Sequence, residues 1–407
     1  MPPATHQLPF PETQHRPDGL RADIHIAPLG GGLISLTANS LPGETAPTLL
    51  KRLTDAARAR GAQAIQGTAF CDPTDEHTKK ISNAAAGFPM ACLGRHDTPR
   101  GNVLGARITA LPDGKFERVK DEHGAICGAR WETAHARYLL LGALVPHDTG
   151  AERDEQAAAL WHTLQTHLAN AGFDTRHLMR TWFYNDYILD WYSGFNRARN
   201  AFFTANNIFA PGALVPASTG IGASNSAGAA LTADALAIAP KTKTPDTPST
   251  TPPAVLSGLQ NFRTSGLSIT AVPSPLQCPA YDYKSAFSRA VECAEPGDRG
   301  LRHLTISGTA SIEPNGRTAH PGDIDAQIDL SLRVIAAILE SRNMSWRDTA
   351  RAILYFPKIE WMPRWHARRA ALGLPDLPAI FAHTDICRDD LLFEIELDAC
   401  TNNSLRS

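Results

Sequence analysis

The sequence predicts an α+β protein assembled from repeated sheet-and-helix units, and three observations lead there. Segments with period-two apolar alternation sit beside segments with helical periodicity, the landmarks of one such set recur later at the same spacing, and a Thr/Pro-rich stretch separates the two sets. At 407 residues the chain exceeds one core of ordinary size, so two or three domains are expected.

The amino-terminal "MPPATHQLPFPETQHRPDG" has no basic segment followed by an apolar one, so it reads as an unstructured tail rather than a secretory signal. Strand candidates "ADIHIAPLG" and "GNVLGARITAL", with the helix candidate "TAPTLLKRLTDAARARG" between them, leave room for a first, irregular unit. The next unit is clearer. It has a strand "YLLLGAL", a helix from Gln156 carrying Leu160, Trp161, Leu164 and Leu168, and "RTWFYNDYILDW" starting at Arg180. A second helix "SGFNRARNAFFTANN" and a closing strand "GAALTADALAI" complete it. Residues 240–253, "PKTKTPDTPSTTPP", hold five prolines, five threonines and no aliphatic side chain, the composition of an extended, mobile linker. After it come "HLTISGTASI", a helix from Gln327 with Leu332, Ile335, Ile338 and Leu339, and "RAILYFPKIEW" starting at Arg351. The helix "PRWHARRAALG" and the strand "DLLFEIELDA" close the chain's last unit.

The spacing makes this a repeat. Gln156 to Arg180 is 24 residues and so is Gln327 to Arg351; Tyr184 and Tyr355 each follow the arginine by four; Trp191 and Trp361 follow it by 11 and 10. Apolar residues at +5, +8 and +12 from each glutamine share one helical face. The expected division is 1–136 (a degenerate amino-terminal unit), 137–240 (a central unit), 241–262 (the linker) and 263–407 (a carboxy-terminal unit).

Composition excludes several classes. Hydrophobic content of 43%, charged content of 20% and a net charge of −2 describe a soluble globular protein with no global pull toward nucleic acid or an anionic membrane. No apolar run approaches the roughly 18 residues of a spanning helix. The seven cysteines (Cys71, Cys92, Cys127, Cys278, Cys293, Cys387 and Cys400) are scattered and form no CxxC pair, which fits a reducing cytoplasm. Fifteen histidines form no HxH or HExxH arrangement, so no metal site is expected.

The most informative stretch is "HTDICRDDLLFEIELDAC", residues 383–400. Phe393, Ile395 and Leu397 alternate with Glu394 and Glu396, so a strand aims two carboxylates the same way. Either they face solvent from an edge strand, or one of them lines a cleft. Upstream, Arg180 shares a strand face with Trp182 and Tyr184. Arg197 and Arg199 follow Asn196, which is a candidate helix cap. "PASTGIGASNSAGAA" lacks the ending of a P-loop. It is either a structural turn or a tight loop in which Ser218, Thr219, Gly220 and backbone N–H groups meet a carboxylate. His320 reads as a loop residue.

"FNRARNAFFTANNIFAPGALVPAST" and "FEIELDA" resemble the corresponding stretches of the RidA (YjgF-like) superfamily. A closer likeness, carried by "RTWFYNDYILDWY", "LVPASTGIG", "SPLQCPAYDYKSAFSRA", "SGTASIEPNGRTAHPGD" and "ICRDDLLFEIE", is to the chorismatases. This resemblance implies three RidA-like (chorismate-mutase-like) α/β sandwiches in pseudo-threefold arrangement in one chain, with the active site between the central and last units. It implies chorismate as substrate, no cofactor, and a monomer by pseudo-trimeric architecture or a weak oligomer. By position Glu394 matches the catalytic acid that protonates the enol ether methylene, with Glu396 as the fallback. Cys387 is either a small buried apolar residue or the selector of the branch that yields 3-hydroxybenzoate, possible alongside 4-hydroxybenzoate, with pyruvate as co-product. The alternatives are a hydrolytic chorismatase giving a dihydroxycyclohexadiene carboxylate, or a RidA-like binding protein without turnover. The superfamily's Pro-Ala-Arg clamp is replaced by Pro216-Ala217-Ser218 and Pro378-Ala379-Ile380, so other cations must hold the substrate. Arg180, Tyr184 and Arg197 are the expected ligands, with Arg199 an even choice between ligand and surface salt bridge.

Overall fold

The structure, a computed structural model, describes residues 24–76, 78, 81, 87–101, 103–112, 116–241, 261–263, 267–280, 285–295 and 301–402. The amino-terminal tail and nearly all of the Thr/Pro stretch lie outside the described residues. No helix among the described residues is long and apolar enough to cross a membrane.

Three sheets organise the chain. The first contains β1 (His25–Pro28), β2 (Ile34–Asn39), β3 (Ala62–Cys71), β4 (Met90–Gly94) and β5 (Val103–Pro112), covered by α1 (Ala46–Arg58). Thr45 caps α1 through Oγ1, which accepts from the Thr48 N–H at 3.4 Å, and Leu49, Leu50 and Leu53 form its buried face. The second sheet contains β6 (Glu117–Lys120), β7 (Ile126–Glu132), β8 (Ala136–Leu144), β9 (Leu178–Asn185), β10 (Ala217–Gly222) and β12 (Leu231–Pro240). It is covered by α2 (Arg153–Asn170) and α3 (Ile188–Ala205). The short β11 (Ser224–Asn225), between β10 and β12 in the chain, pairs with β4 of the first sheet. The third sheet contains β13 (Asn261–Arg263), β14 (Ser268–Val272), β15 (Ala290–Ala294), β16 (Leu301–Ala310), β17 (Thr349–Phe356), β18 (Ala379–His383) and β19 (Glu394–Asn402). Here the covering helices are α4 (Ile324–Glu340) and α5 (Met362–Ala371).

Two details differ from the expected division. β6 and β7 fall before residue 136, yet they hydrogen-bond into the second sheet, because successive tight turns fold them back onto β8. β13 begins at Asn261, inside the stretch assigned to the linker.

The repeated glutamines hold equivalent joints. Gln156 Nε2 donates to the Thr149 and Ala151 carbonyls and its Oε1 accepts the Ala230 N–H, tying the start of α2 to the entry of β12. Gln327 does the same for α4 and β19 through His320, Asp390 and Leu392. Each sheet buries one face under its own helices, while the opposite faces of all three meet in a shared core. That second burial is why β9 and β17 carry no exposed residue. At the centre Phe70 meets Tyr184 and Tyr355 edge-on, at ring distances of 6.5 and 6.0 Å. These three aromatics pair across their sheets with Gly105, Thr232 and Glu394 respectively, so only the third unit has an acid at that place.

A buried ionic cluster surrounds this centre. Arg180 and Arg351 contact the Glu396 carboxylate at 2.9 and 2.7 Å, the Trp182 indole N–H donates to it at 3.0 Å, and Arg351 also bonds Asp398. Arg107 contacts Asp234 at 3.3 Å. The guanidiniums of Arg107, Arg180 and Arg351 all lie 4.8–5.4 Å from the Trp182 ring.

Candidate active site

Where β10 of the second sheet approaches β16 of the third, small residues let the backbones close up. A Cβ at Gly308 would fall 1.9 Å from Glu394 Oε1, and one at Gly222 would fall 2.6 Å from Asp385 Cβ. Gly222 and Asp385 exchange backbone hydrogen bonds at 2.8 Å across the junction, and Ser288 N–H donates to the Pro216 carbonyl at 3.0 Å. A narrow cavity of about 30 Å³ opens beside these contacts. Its wall includes Ser218 and Gly220 from β10, Tyr192 and Arg199 from α3, Phe287 and Arg289 from the segment before β15, Gly308 from β16, and Cys387, Arg388 and Glu394. Cys387 and Arg388 also line an outer hollow of about 790 Å³, which extends the cavity toward solvent.

Helical phase selects the α3 residues. Tyr192, Phe195 and Arg199 lie at i, i+3 and i+7, with Arg199 held 5.2 Å from the Phe195 ring. Arg199 is 2% exposed and its guanidinium also lies 5.7 Å from Phe287; Arg289 sits 5.6 Å from the same ring and donates to the Cys278 carbonyl. Three guanidiniums thus converge on one small cavity, which suits a guest with two carboxylates.

The acid among them is unusual. Glu394 is 5% exposed, and burial, reinforced by the nearby Glu396 charge, pushes its carboxyl up to about 8 against the pull of Arg180 and Arg289. It therefore holds a proton at neutral pH. Glu396 is equally buried, but the Arg351 and Arg180 guanidiniums outweigh its burial and hold it below the usual carboxylate range. Burial, then the Glu394 charge, pushes the Cys387 thiol up to about 12, so it is a thiol and not a thiolate at neutral pH.

The structure distributes the expected site residues unevenly. Glu394, Cys387, Ser218 and Gly220 line the cavity. Thr219 points to the opposite side of β10 and bonds Arg180 at 2.5 Å, so both sit in the ionic cluster rather than on the cavity wall. Tyr184 is fully buried in the shared core. Arg197 lies on the outer face of α3, paired with Asp154 at 2.6 Å, and it is Arg199 that lines the cavity. The segment around Ser218 is a strand parallel to β9 rather than a loop. Asn196 is no helix cap, because α3 starts at Ile188. His320 is exposed on a loop, as expected. The sequence reasoning missed Tyr192, Phe287, Arg289 and Arg388. A helical wheel through Phe195 and Phe202 would have found Tyr192 and favoured Arg199, whereas Arg289 carries no local signal. Among the described residues one metal-capable group comes together, Glu122, His123 and His147, all exposed and none of them on the cavity.

Three helix-covered sheets around a common core, with one acid-bearing junction, define a sheet-and-helix architecture repeated within a single chain. No protein-family model matches the sequence. A 3-hydroxybenzoate synthase from Streptomyces hygroscopicus is 29% identical over 142 residues, which span 31% of this chain and 42% of that relative. A crystal structure of a chorismatase matches 83% of this chain and 92% of its own, with a TM-score of 0.58 and 20% identity. RidA from a Psychrobacter species matches 32% of this chain and 97% of its own, with a TM-score of 0.26 and 18% identity. The chain has the fold of that chorismatase, and part of its sequence resembles the 3-hydroxybenzoate synthase.

Proposed function

We propose that the protein is a chorismatase converting chorismate to 3-hydroxybenzoate and pyruvate in the cavity between the second and third sheets. The observation that carries this reading is a sheltered carboxyl, protonated at neutral pH, facing a cavity lined by three arginines. The Streptomyces hygroscopicus relative bears the name of that activity, and the match spans less than half of its length.

In this reading Arg199, Arg289 and Arg388 bind the two carboxylates of chorismate. Glu394 delivers its proton to the enol ether methylene, which becomes the methyl group of pyruvate, and positive charge develops at the ether carbon. The bond between the ring and the ether oxygen breaks as the ring hydroxyl assists, and pyruvate leaves with that oxygen as its carbonyl. The ring loses a proton as it aromatises, and the Glu394 carboxylate recovers it. The products together are isomeric with the substrate, so no water is consumed. Glu396 is unsuited to the proton transfer, since both its oxygens already accept hydrogen bonds.

Pyruvate release from chorismate, followed with lactate dehydrogenase, tests the assignment. The aromatic product is identified by mass and ultraviolet spectrum. Absence of pyruvate sinks the reading, and a diene product moves the protein to the hydrolytic branch. Because the acid must be protonated, kcat/KM is expected to be level below about pH 8 and to fall about tenfold per unit above it. A profile still rising at pH 9 contradicts Glu394 as the proton donor.

Cys387, protonated beside Glu394, acts on the outcome and not as a nucleophile. Cys387→Ala is expected to change the ratio of 3-hydroxybenzoate to other products by more than it lowers total pyruvate release. An unchanged product ratio removes that role.

A further inference from the structure

The third sheet carries a β-bulge beside Glu394. Between Ile306 and Thr309, β16 has one residue more than β19 opposite it, and the extra backbone is Ser307–Gly308. The second sheet has the same bulge at Gly142–Ala143 in β8, opposite β12. There the Ala143 N–H donates at 2.8 Å to Asp234, which occupies in β12 the place that Glu396 occupies in β19. The third sheet is wired differently. The Gly308 N–H donates at 3.0 Å to Thr219 Oγ1, a hydroxyl that comes from the neighbouring sheet. Thr219 also accepts from Arg180 at 2.5 Å and bonds Glu396, while Arg180 itself contacts Glu396 at 2.9 Å. The Ser307 hydroxyl accepts from the Ser218 N–H at 2.9 Å and from Arg180 at 3.5 Å, and the Thr219 hydroxyl joins the ionic cluster directly to Gly308, the backbone on which Glu394 rests, since any Cβ at Gly308 would overlap Glu394 Oε1.

We propose that Thr219 is a positioning residue: it holds the Gly308 bulge closed against the second sheet, and so fixes the place of the Glu394 carboxyl in the cavity. Its side chain is not on the cavity wall, so it does this without touching the guest. Arg180 supports it from the far side. The charged and titratable groups around Glu394 are Glu396 on its own strand, Tyr355 opposite it on β17, Arg180 from β9, Arg289 before β15, Tyr192 and Arg199 from α3, and Cys387 and Arg388 from the preceding loop. Of these, Arg180 also bonds the bulge, through Ser307 Oγ at 3.5 Å. The inference rests on the proposed role of Glu394, and its test separates the two.

Thr219→Val keeps shape and removes every bond of the hydroxyl. We expect kcat on chorismate to fall about 100-fold, the scale of an ångström-sized misplacement of a reacting group, with KM within about twofold. The basic limb of the pH profile should move below about 8 as the carboxyl gains water. Thr219→Ser, which restores the hydroxyl, should recover both. The Glu394 carboxyl is also titrated by 13C NMR without substrate in the wild type and the valine variant, where the same downward shift is expected. If the valine variant does not fold, Thr219→Ala is measured in the same way. Unchanged kcat and unchanged Glu394 titration in the folded variant overturn the proposal. A wild type that releases no pyruvate overturns the chorismatase reading instead, and the substrate-free titration then still decides the role of Thr219.

Discussion

Replacing Glu394 with glutamine is expected to lower pyruvate release from chorismate by roughly 10²- to 10⁴-fold, the usual contribution of a positioned general acid. The substitution is nearly isosteric, and at neutral pH the native side chain is already uncharged, so the ground-state electrostatics of the cavity hardly change. What is lost is the transferable proton. Melting temperature should hold or rise. A folded state that binds an extra proton loses stability as pH climbs from the ordinary carboxylate range to about 8, and the variant escapes that penalty. A lactate dehydrogenase-coupled rate and a thermal melt at pH 7.5 check both halves. A variant within a few-fold of wild type would mean the proton comes from elsewhere.

The largest loss of stability is expected at Arg351→Met. Arg351 is 2% exposed and serves two buried carboxylates, Glu396 at 2.7 Å and Asp398 through a second hydrogen bond. Methionine fills similar space and leaves those acids with Arg180, Trp182 and His303, an arrangement short of one full charge. Removing one partner of a buried cluster costs about 3–5 kcal/mol. Chemical denaturation of the wild type and variant at pH 7 should show that difference, and a change below about 1 kcal/mol would place the cluster among the dispensable ones. The pH dependence has a definite sign. Burial would raise Asp398, but the Arg351 and His303 charges outweigh it and hold the carboxyl far below the usual range. The stability it contributes is present above the ordinary carboxylate pKa and is lost only as pH falls below that range.

Much of this arrangement was legible as periodicity. The alternation in residues 391–397 assigns Glu394 and Glu396 to one face of a strand, and the Gln–Arg–Tyr spacing identifies two copies of one unit. Both are local properties of the chain. The different fates of the two acids are not local. Glu396 is neutralised by arginines from β9 and β17, while the strand position of Glu394 faces a glycine bulge and a cavity. Arg180 and Tyr184 share the expected strand face, but that face looks into the junction of three sheets, which only the assembled fold reveals. Arg197 and Arg199 differ by the phase of α3. That phase depends on a helix beginning at Ile188, after a left-handed Tyr187 and through a kink at Trp191, neither of which the composition of the segment announces. Arg289 reaches the cavity from a stretch with no regular structure, so no pattern pointed to it.

The backbone exchange between Gly222 and Asp385 stitches the two sides of the cavity together within a single polypeptide. When such a pocket forms between separate subunits, it exists only above the concentration at which they associate, and it dissolves on dilution. Here tethering replaces a bimolecular encounter with an intramolecular one. The two walls stay partnered at any protein concentration, however scarce the protein.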